Sequence, residues 1–247
     1  EMINSGKIKA EEAVIGYVGA FTYAEVVSGM TSFYLGARSV CPSATMKVRY
    51  TGSWYDQGKE QEAATALIKN DKCVLISQHA DSLGAPTACE QAGVPNVSYN
   101  GSTYTAGENT FMVSSAINWA PYFQYIIETF CKGEKIAADW CGDIATNSVV
   151  LTGLNLDVVA EGTEAKIKEA IAAFKAGTLH VFDTSKFTVG GKTLTEYLAD
   201  VDGDFKGETN VIHDGYFDES NAVDFRSAPY FDIIIDGITN LNTNYGN

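Results

Sequence analysis

Three observations predict an α/β fold built of doubly wound parallel sheets. From Val14 onward, short apolar runs alternate with amphipathic helical patterns, with little else between them. The stretch Cys73-Val74-Leu75-Ile76-Ser77 reads as a continuous apolar strand, the signature of a parallel sheet covered on both faces. Four of the runs share one plan, a strand followed by a polar or aromatic loop and then a helix or turn, which right-handed crossovers assemble into one layer.

Taken in order, Val14-Ile15-Gly16-Tyr17-Val18-Gly19 is a short buried strand followed by a helix over 23–39. Residues 46–51 alternate apolar and polar as a second strand, and 57–69 form an amphipathic helix. After the third strand at 73–77 come a helix over 85–92 and strands at 95–99 and 110–114. Residues 14–116 thus make one complete α/β lobe. Beyond it, 119–131 is a helix with Pro121 in its first turn, where proline is tolerated. Residues 148–151 are strand-like, and 161–176 form an amphipathic helix ended by Gly177. The stretch 182–247 is irregular and rich in Gly, Asp and Asn, with a strand expected at 230–235. The segment 117–157 is expected to cross between lobes and 158–247 to return. Glu1 to Ala10 resemble the end of a helix running into a turn, and with no initiator Met and no export signal the chain is expected to be a fragment.

Composition narrows the function classes. The 31 acidic against 17 basic residues, with the basic ones scattered, oppose a nucleic-acid or anionic-membrane face. No apolar run approaches the roughly 20 residues that span a bilayer. The five cysteines show no metal spacing; Cys73 and Cys89 read as small buried hydrophobes, while Cys131 and Cys141 could pair in an oxidising compartment.

The loops at the carboxyl edge of the predicted sheet carry the chemistry, because open α/β sheets bind ligands there. Between Arg49 and Gly58 the loop presents Trp54, where a connecting turn needs only small or polar residues. An indole at a crevice mouth is a flat stacking surface with one donor, unless the ring folds back on its own helix. The neighbouring loops add Phe21, Asp81 and Asn100. Aromatic faces with a carboxylate, a carboxamide and hydroxyls are the make-up of a small-molecule pocket. Separately, Asp81 also fits a helix cap and Asn100-Gly101 a turn.

Catalytic patterns are missing. His79 lies near Asp81 and Ser82, but there is no GxSxG elbow, no P-loop and no GxGxxG, and the three histidines lack zinc spacing. No cofactor or metal is expected. Asp200-Val201-Asp202-Gly203-Asp204 begins like a calcium loop, yet Phe205 and Val211 stand where glycine and glutamate are needed, so it reads as an acidic turn.

With these loops laid out, the chain resembles solute-binding proteins of the basic membrane protein family. The resemblance is carried by Ile15-Gly16-Tyr17-Val18-Gly19-Ala20-Phe21, Phe33-Tyr34-Leu35-Gly36-Ala37-Arg38, Gly52-Ser53-Trp54-Tyr55-Asp56 and Gln78-His79-Ala80-Asp81-Ser82. Tyr99-Asn100, Asn118-Trp119-Ala120-Pro121-Tyr122 and Phe225-Arg226-Ser227-Ala228-Pro229-Tyr230 continue it. It implies a type I periplasmic-binding-protein fold in two lobes, the first incomplete here because the family's long segment before Val14 is missing. That segment is the expected companion piece. It further implies an extracytoplasmic, lipid-anchored or periplasmic protein that binds a purine nucleobase or nucleoside and presents it to an ABC permease. Trp54 would stack on the purine, Asn100 would meet the sugar or base edge, and the Asp81 loop would face the cleft. A lysine that some relatives carry near Ile117 or Asn118 is absent, which favours a free base or another planar solute. The other readings are a nucleoside-acting Rossmann-like enzyme and a ligand sensor of the same fold.

Overall fold

The computed structural model describes residues 1–201, 204, 206–217 and 230–246. Its main chain runs β1 (Val14–Gly19), α1 (Ala24–Val40), β2 (Thr45–Tyr50), α2 (Gln57–Lys69), β3 (Leu75–Gln78), α3 (Gly84–Ala92), β4 (Asn96–Tyr99) and β5 (Phe111–Ile117). Then follow α4 (Ala120–Cys131), β6 (Val149–Leu151), α5 (Thr163–Lys175), four two-residue strands β7 (Leu198–Ala199), β8 (Thr209–Asn210), β9 (Ile212–His213) and β10 (Tyr216–Phe217), and β11 (Ile238–Asn240).

Seven strands form one sheet in the order β11-β2-β1-β3-β4-β5-β6. Every neighbouring pair is parallel except β5 with β6, which are antiparallel through Ser115–Leu151, Ala116–Val150 and Ile117–Val149. The chain steps outward from β1 to β2 and then crosses back to β3. That reversal opens a crevice above the carboxyl ends of β1 and β3, where doubly wound sheets take their ligands.

The pleat sorts β1 onto two cores. Ile15 and Tyr17 face one core with Val26, Val27, Met30 and Tyr34 of α1 and Met46, Val48 and Tyr50 of β2. Val18 faces the other, with Ala64 and Leu67 of α2, Ile76 of β3 and Ala85, Ala88 and Cys89 of α3. The helices α2 and α3 approach closely because residue 84 is glycine; a Cβ there would run into the carbonyl oxygen of Gln57. On the α1 side the C-terminal region closes the core with Phe182, Phe187, Phe217 and Phe231.

The strand expected at 230–235 is not formed. Tyr230, Phe231 and Ile235 are buried, but the strand that joins the sheet lies just beyond, pairing Ile238–Asn240 with Met46–Val48. The apolar pattern there reports packing on the α1-side core, while the free edge of β2 is taken by the next few residues. Glu1 to Ala10 form hydrogen-bonded turns instead of a helix end, followed by a 3-10 turn at Ala10–Glu12. Cys73 and Cys89 are buried, and burial pushes both thiols up to about 12. Cys131 is an exposed free thiol, and the pairing with Cys141 that an oxidising compartment would permit is not formed. Asp202, Gly203 and Phe205 of the acidic turn, and 225–229 of the stretch ending at Tyr230, lie outside the described residues.

Candidate ligand-binding site

Two loops at the crevice are locked to one another by backbone and carboxylate hydrogen bonds. Asp56 caps α2 by accepting from the Lys59 amide at 3.0 Å. Glu60, fully buried on the first turn of α2, accepts from the Asp56 amide at 3.0 Å and reaches across to the Ser82 amide at 3.1 Å. Burial raises the Glu60 pKa, against which these N–H bonds act. The Asp81 amide donates to the Trp54 carbonyl at 2.8 Å, so the loops after β2 and β3 move as one. Gly52, at φ +71°, turns the chain into the Trp54 loop where a Cβ would strike the Asn244 side chain.

The C-terminal tail fastens the remaining loops. Asn242 exchanges two 2.8 Å bonds with the backbone of Tyr50, continuing the ladder by side chain. The Thr22 amide donates to the Asn244 carbonyl at 2.7 Å, and the Tyr23 hydroxyl donates to the Tyr245 carbonyl at 2.9 Å.

On this frame the aromatic rings meet in a row. Tyr23 stacks on Phe21 at 5.1 Å, and Phe21 meets Trp54 edge-on at 5.3 Å. Trp54 lies 6.2 Å from the His79 ring, and His79 stacks on Tyr99 at 4.2 Å. Trp54 remains 36% exposed, so its ring contacts the neighbouring loops while part of it stays open to solvent. Each such aromatic pair contributes about 0.5–1.5 kcal/mol beyond its buried area, enough to hold the row in register without a ligand.

At the other end of the row sit the polar groups. Asn100 adopts φ +67° in a turn after β4, its amide donating to the Ser115 carbonyl at 2.7 Å. Partial burial raises the Asp81 pKa, and the neighbouring Asn100 side chain acts the other way and lowers it. Asp81 does not cap α3; the Ser82 hydroxyl accepts from the Gly84 amide at 3.1 Å, and Asp81 is left at the surface of the crevice. The four residues singled out from sequence therefore fall into two contacts: Phe21 against Trp54, and Asn100 against Asp81.

Sequence reasoning missed the members between them. Tyr23, His79 and Tyr99 complete the aromatic row, and Glu25 stands at the first turn of α1 with an oxygen 3.8 Å from His79 Nε2. Tyr99 closes a strand and His79 follows one, so both could have been placed at the carboxyl edge by period-2 counting alone. Beneath the row, Gln78, Asn96, Ser98 and Thr103 form a buried chain of side-chain bonds of 2.5–3.1 Å that stiffens the ends of β3 and β4.

Comparison with known proteins gives the family and the fold. Residues 6–178 match the Bmp family model, described as ABC transporter substrate-binding protein PnrA-like. A Haloferax volcanii protein named as an ABC transporter glucose-binding protein, TsgA13, is 34% identical over 66% of this chain and 40% of its own. A purine-binding protein of Brucella abortus is 30% identical over 78% of this chain and 59% of its own. The chain thus spans about half the length of these relatives. In fold it is similar to the structure of an ABC transporter solute-binding protein from Conexibacter woesei, with a TM-score of 0.57 at 24% identity, covering 68% of this chain and 56% of that one. The chain belongs to the PnrA-like family of ABC transporter substrate-binding proteins.

Proposed function

We propose that the crevice above β1 and β3 binds a planar, uncharged solute of the purine nucleobase or nucleoside type, without chemical conversion. The observation that carries this reading is the partly open Trp54 ring beside the Asp81–Asn100 pair. A purine offers a π-face to the indole and an edge of N–H donors and acceptors to a carboxylate and carboxamide. The backbone of both polar residues is held by hydrogen bonds to neighbouring elements, Asp81 to Trp54 and Asn100 to Ser115, so less ordering entropy opposes binding.

A second reading is favoured by the relative named for glucose. A sugar presents a C–H face to an aromatic ring and paired hydroxyls to Asp81 and Asn100, so the same groups serve either solute. Whole-protein roles belong to the same proposal: an extracytoplasmic receptor, lipid-anchored or periplasmic, that delivers its solute to an ABC permease. The opposing wall of the cleft would come from a companion segment seated on α4, whose Trp119, Phe123, Ile127 and Phe130 are exposed.

Calorimetry with adenine, adenosine and glucose tests the reading. Saturable binding of a purine, recovered unchanged, is the expected result. Saturable binding of glucose alone selects the sugar reading, and release of free adenine from adenosine replaces both with an enzyme.

A further inference from the structure

His79 stands out among the buried polar groups. It is 4% exposed, and neither ring nitrogen has a hydrogen-bond partner. Buried polar atoms are nearly always bonded, and an orphaned one costs about 1–3 kcal/mol. The cause is local. Nδ1 faces α1 at Gly29, lying 3.0 Å from where a Cβ would sit, with the Tyr17 hydroxyl 3.5 Å from the same point. Nε2 faces Glu25, one helical turn earlier, at 3.8 Å. Burial lowers the His79 pKa to about 4, so the ring is neutral and this approach is not an ion pair.

A neutral imidazole has one donor and one acceptor nitrogen. Nε2 is the nitrogen that faces the carboxylate, and a proton carried there is the one Glu25 can accept. Glu25 is more than half exposed, so water now competes for it, and about 1 Å of side-chain movement separates it from a charge-assisted bond. A solute resting on Trp54 and Tyr99 would displace that water and strengthen the bond in the drier site.

We propose that His79 and Glu25 form a positioning couple of the pocket: solute binding closes Glu25 onto His79 Nε2–H, and the seated imidazole fixes the Trp54 and Tyr99 rings between which it lies. This rests on the proposed binding role of the crevice. The couple assigns function to two residues outside the four named from sequence.

Two His79 variants separate bonding from packing. His79→Phe keeps a flat ring against Tyr99 but has no donor; His79→Gln loses the ring but places an amide nitrogen near Nε2. Calorimetry with adenine, adenosine and glucose on variants that retain the wild-type circular dichroism is the experiment. His79→Gln should stay within about 3-fold of wild type for the solute bound, while His79→Phe and Glu25→Gln each weaken it about 10-fold, the loss of one charge-assisted bond. The double variant Glu25→Gln/His79→Phe should be no weaker than either single one. Wild-type affinity in His79→Phe, a loss in His79→Gln as large as in His79→Phe, or additive losses in the double variant would each overturn the couple while leaving the binding role intact. A wild-type chain that binds none of the three probes removes the binding role and the couple together.

Discussion

The carboxyl edge of β1–β4 and the segment from α4 through α5 both carry apolar patterns and end in opposite states. At the edge the loops are fastened: Glu60 joins those after β2 and β3, Asn242 also holds the end of β2, Asn244 holds the loop after β1, and the rings lean on one another. In the later segment, α4 buries only Thr129 and leaves Phe123, Ile127 and Phe130 more than half exposed. Helix α5 buries nothing fully, although Ile167, Ala170, Ile171 and Phe174 make a proper apolar stripe. The difference teaches that apolar pattern alone does not place a helix. A pattern becomes a core only where a second surface meets it, and becomes a site only where polar groups fix what the core presents.

The contrast can be broken at its strongest point first. Glu60→Ala orphans the Asp56 and Ser82 amides and should lower stability by about 4 kcal/mol, at about 1–3 for each unpaired group plus lost packing. Glu60→Gln, which keeps an acceptor, should lose far less. Chemical denaturation of both variants checks this; equal losses would mean that the charge, not the bridging bonds, holds the loops.

Acid should act next. The folded His79 pKa of about 4 lies below the ordinary value of 6.5, so the unfolded chain binds the extra proton between those values. Stability should therefore be intact above pH 6.5 and fall as pH drops toward 4, by about 3 kcal/mol in all. His79→Phe should flatten that part of the pH profile. A profile identical to wild type would show that His79 is not buried as described.

The smallest effect belongs to the other region. Phe123→Ser and Phe130→Ser on α4 should change the stability of this chain by no more than about 0.5 kcal/mol, the usual range for surface sites. A buried Leu67→Ala on α2 should cost about 3 kcal/mol. A large loss from Phe123→Ser would show that α4 is already covered, and the comparison would fail.

Much of the edge was legible in the sequence because local rules agree there. Apolar strands alternating with amphipathic helical patterns point to one parallel layer, and position at the carboxyl edge selects Phe21, Trp54, Asp81 and Asn100. What was not legible came from long-range closure. Nothing near Tyr50 or Thr22 signals that Asn242 and Asn244 complete their hydrogen bonds from almost two hundred residues away or more. In the sequence His79 is weighed only beside Asp81 and Ser82, because the neighbours it meets in space, Glu25 and Tyr99, lie on other elements. The expected strand at 230–235 failed for a related reason: alternation records which side is buried, but not whether a free sheet edge is within reach.

The central claim is that the Trp54 ring is a binding surface on a frame that stands without it. Calorimetry with adenine on Trp54→Ala, alongside its thermal unfolding, tests this most directly. At least a 30-fold loss of affinity, about 2 kcal/mol, is expected, in the range of a buried aromatic anchor, with circular dichroism unchanged. Wild-type affinity in the folded variant would contradict it.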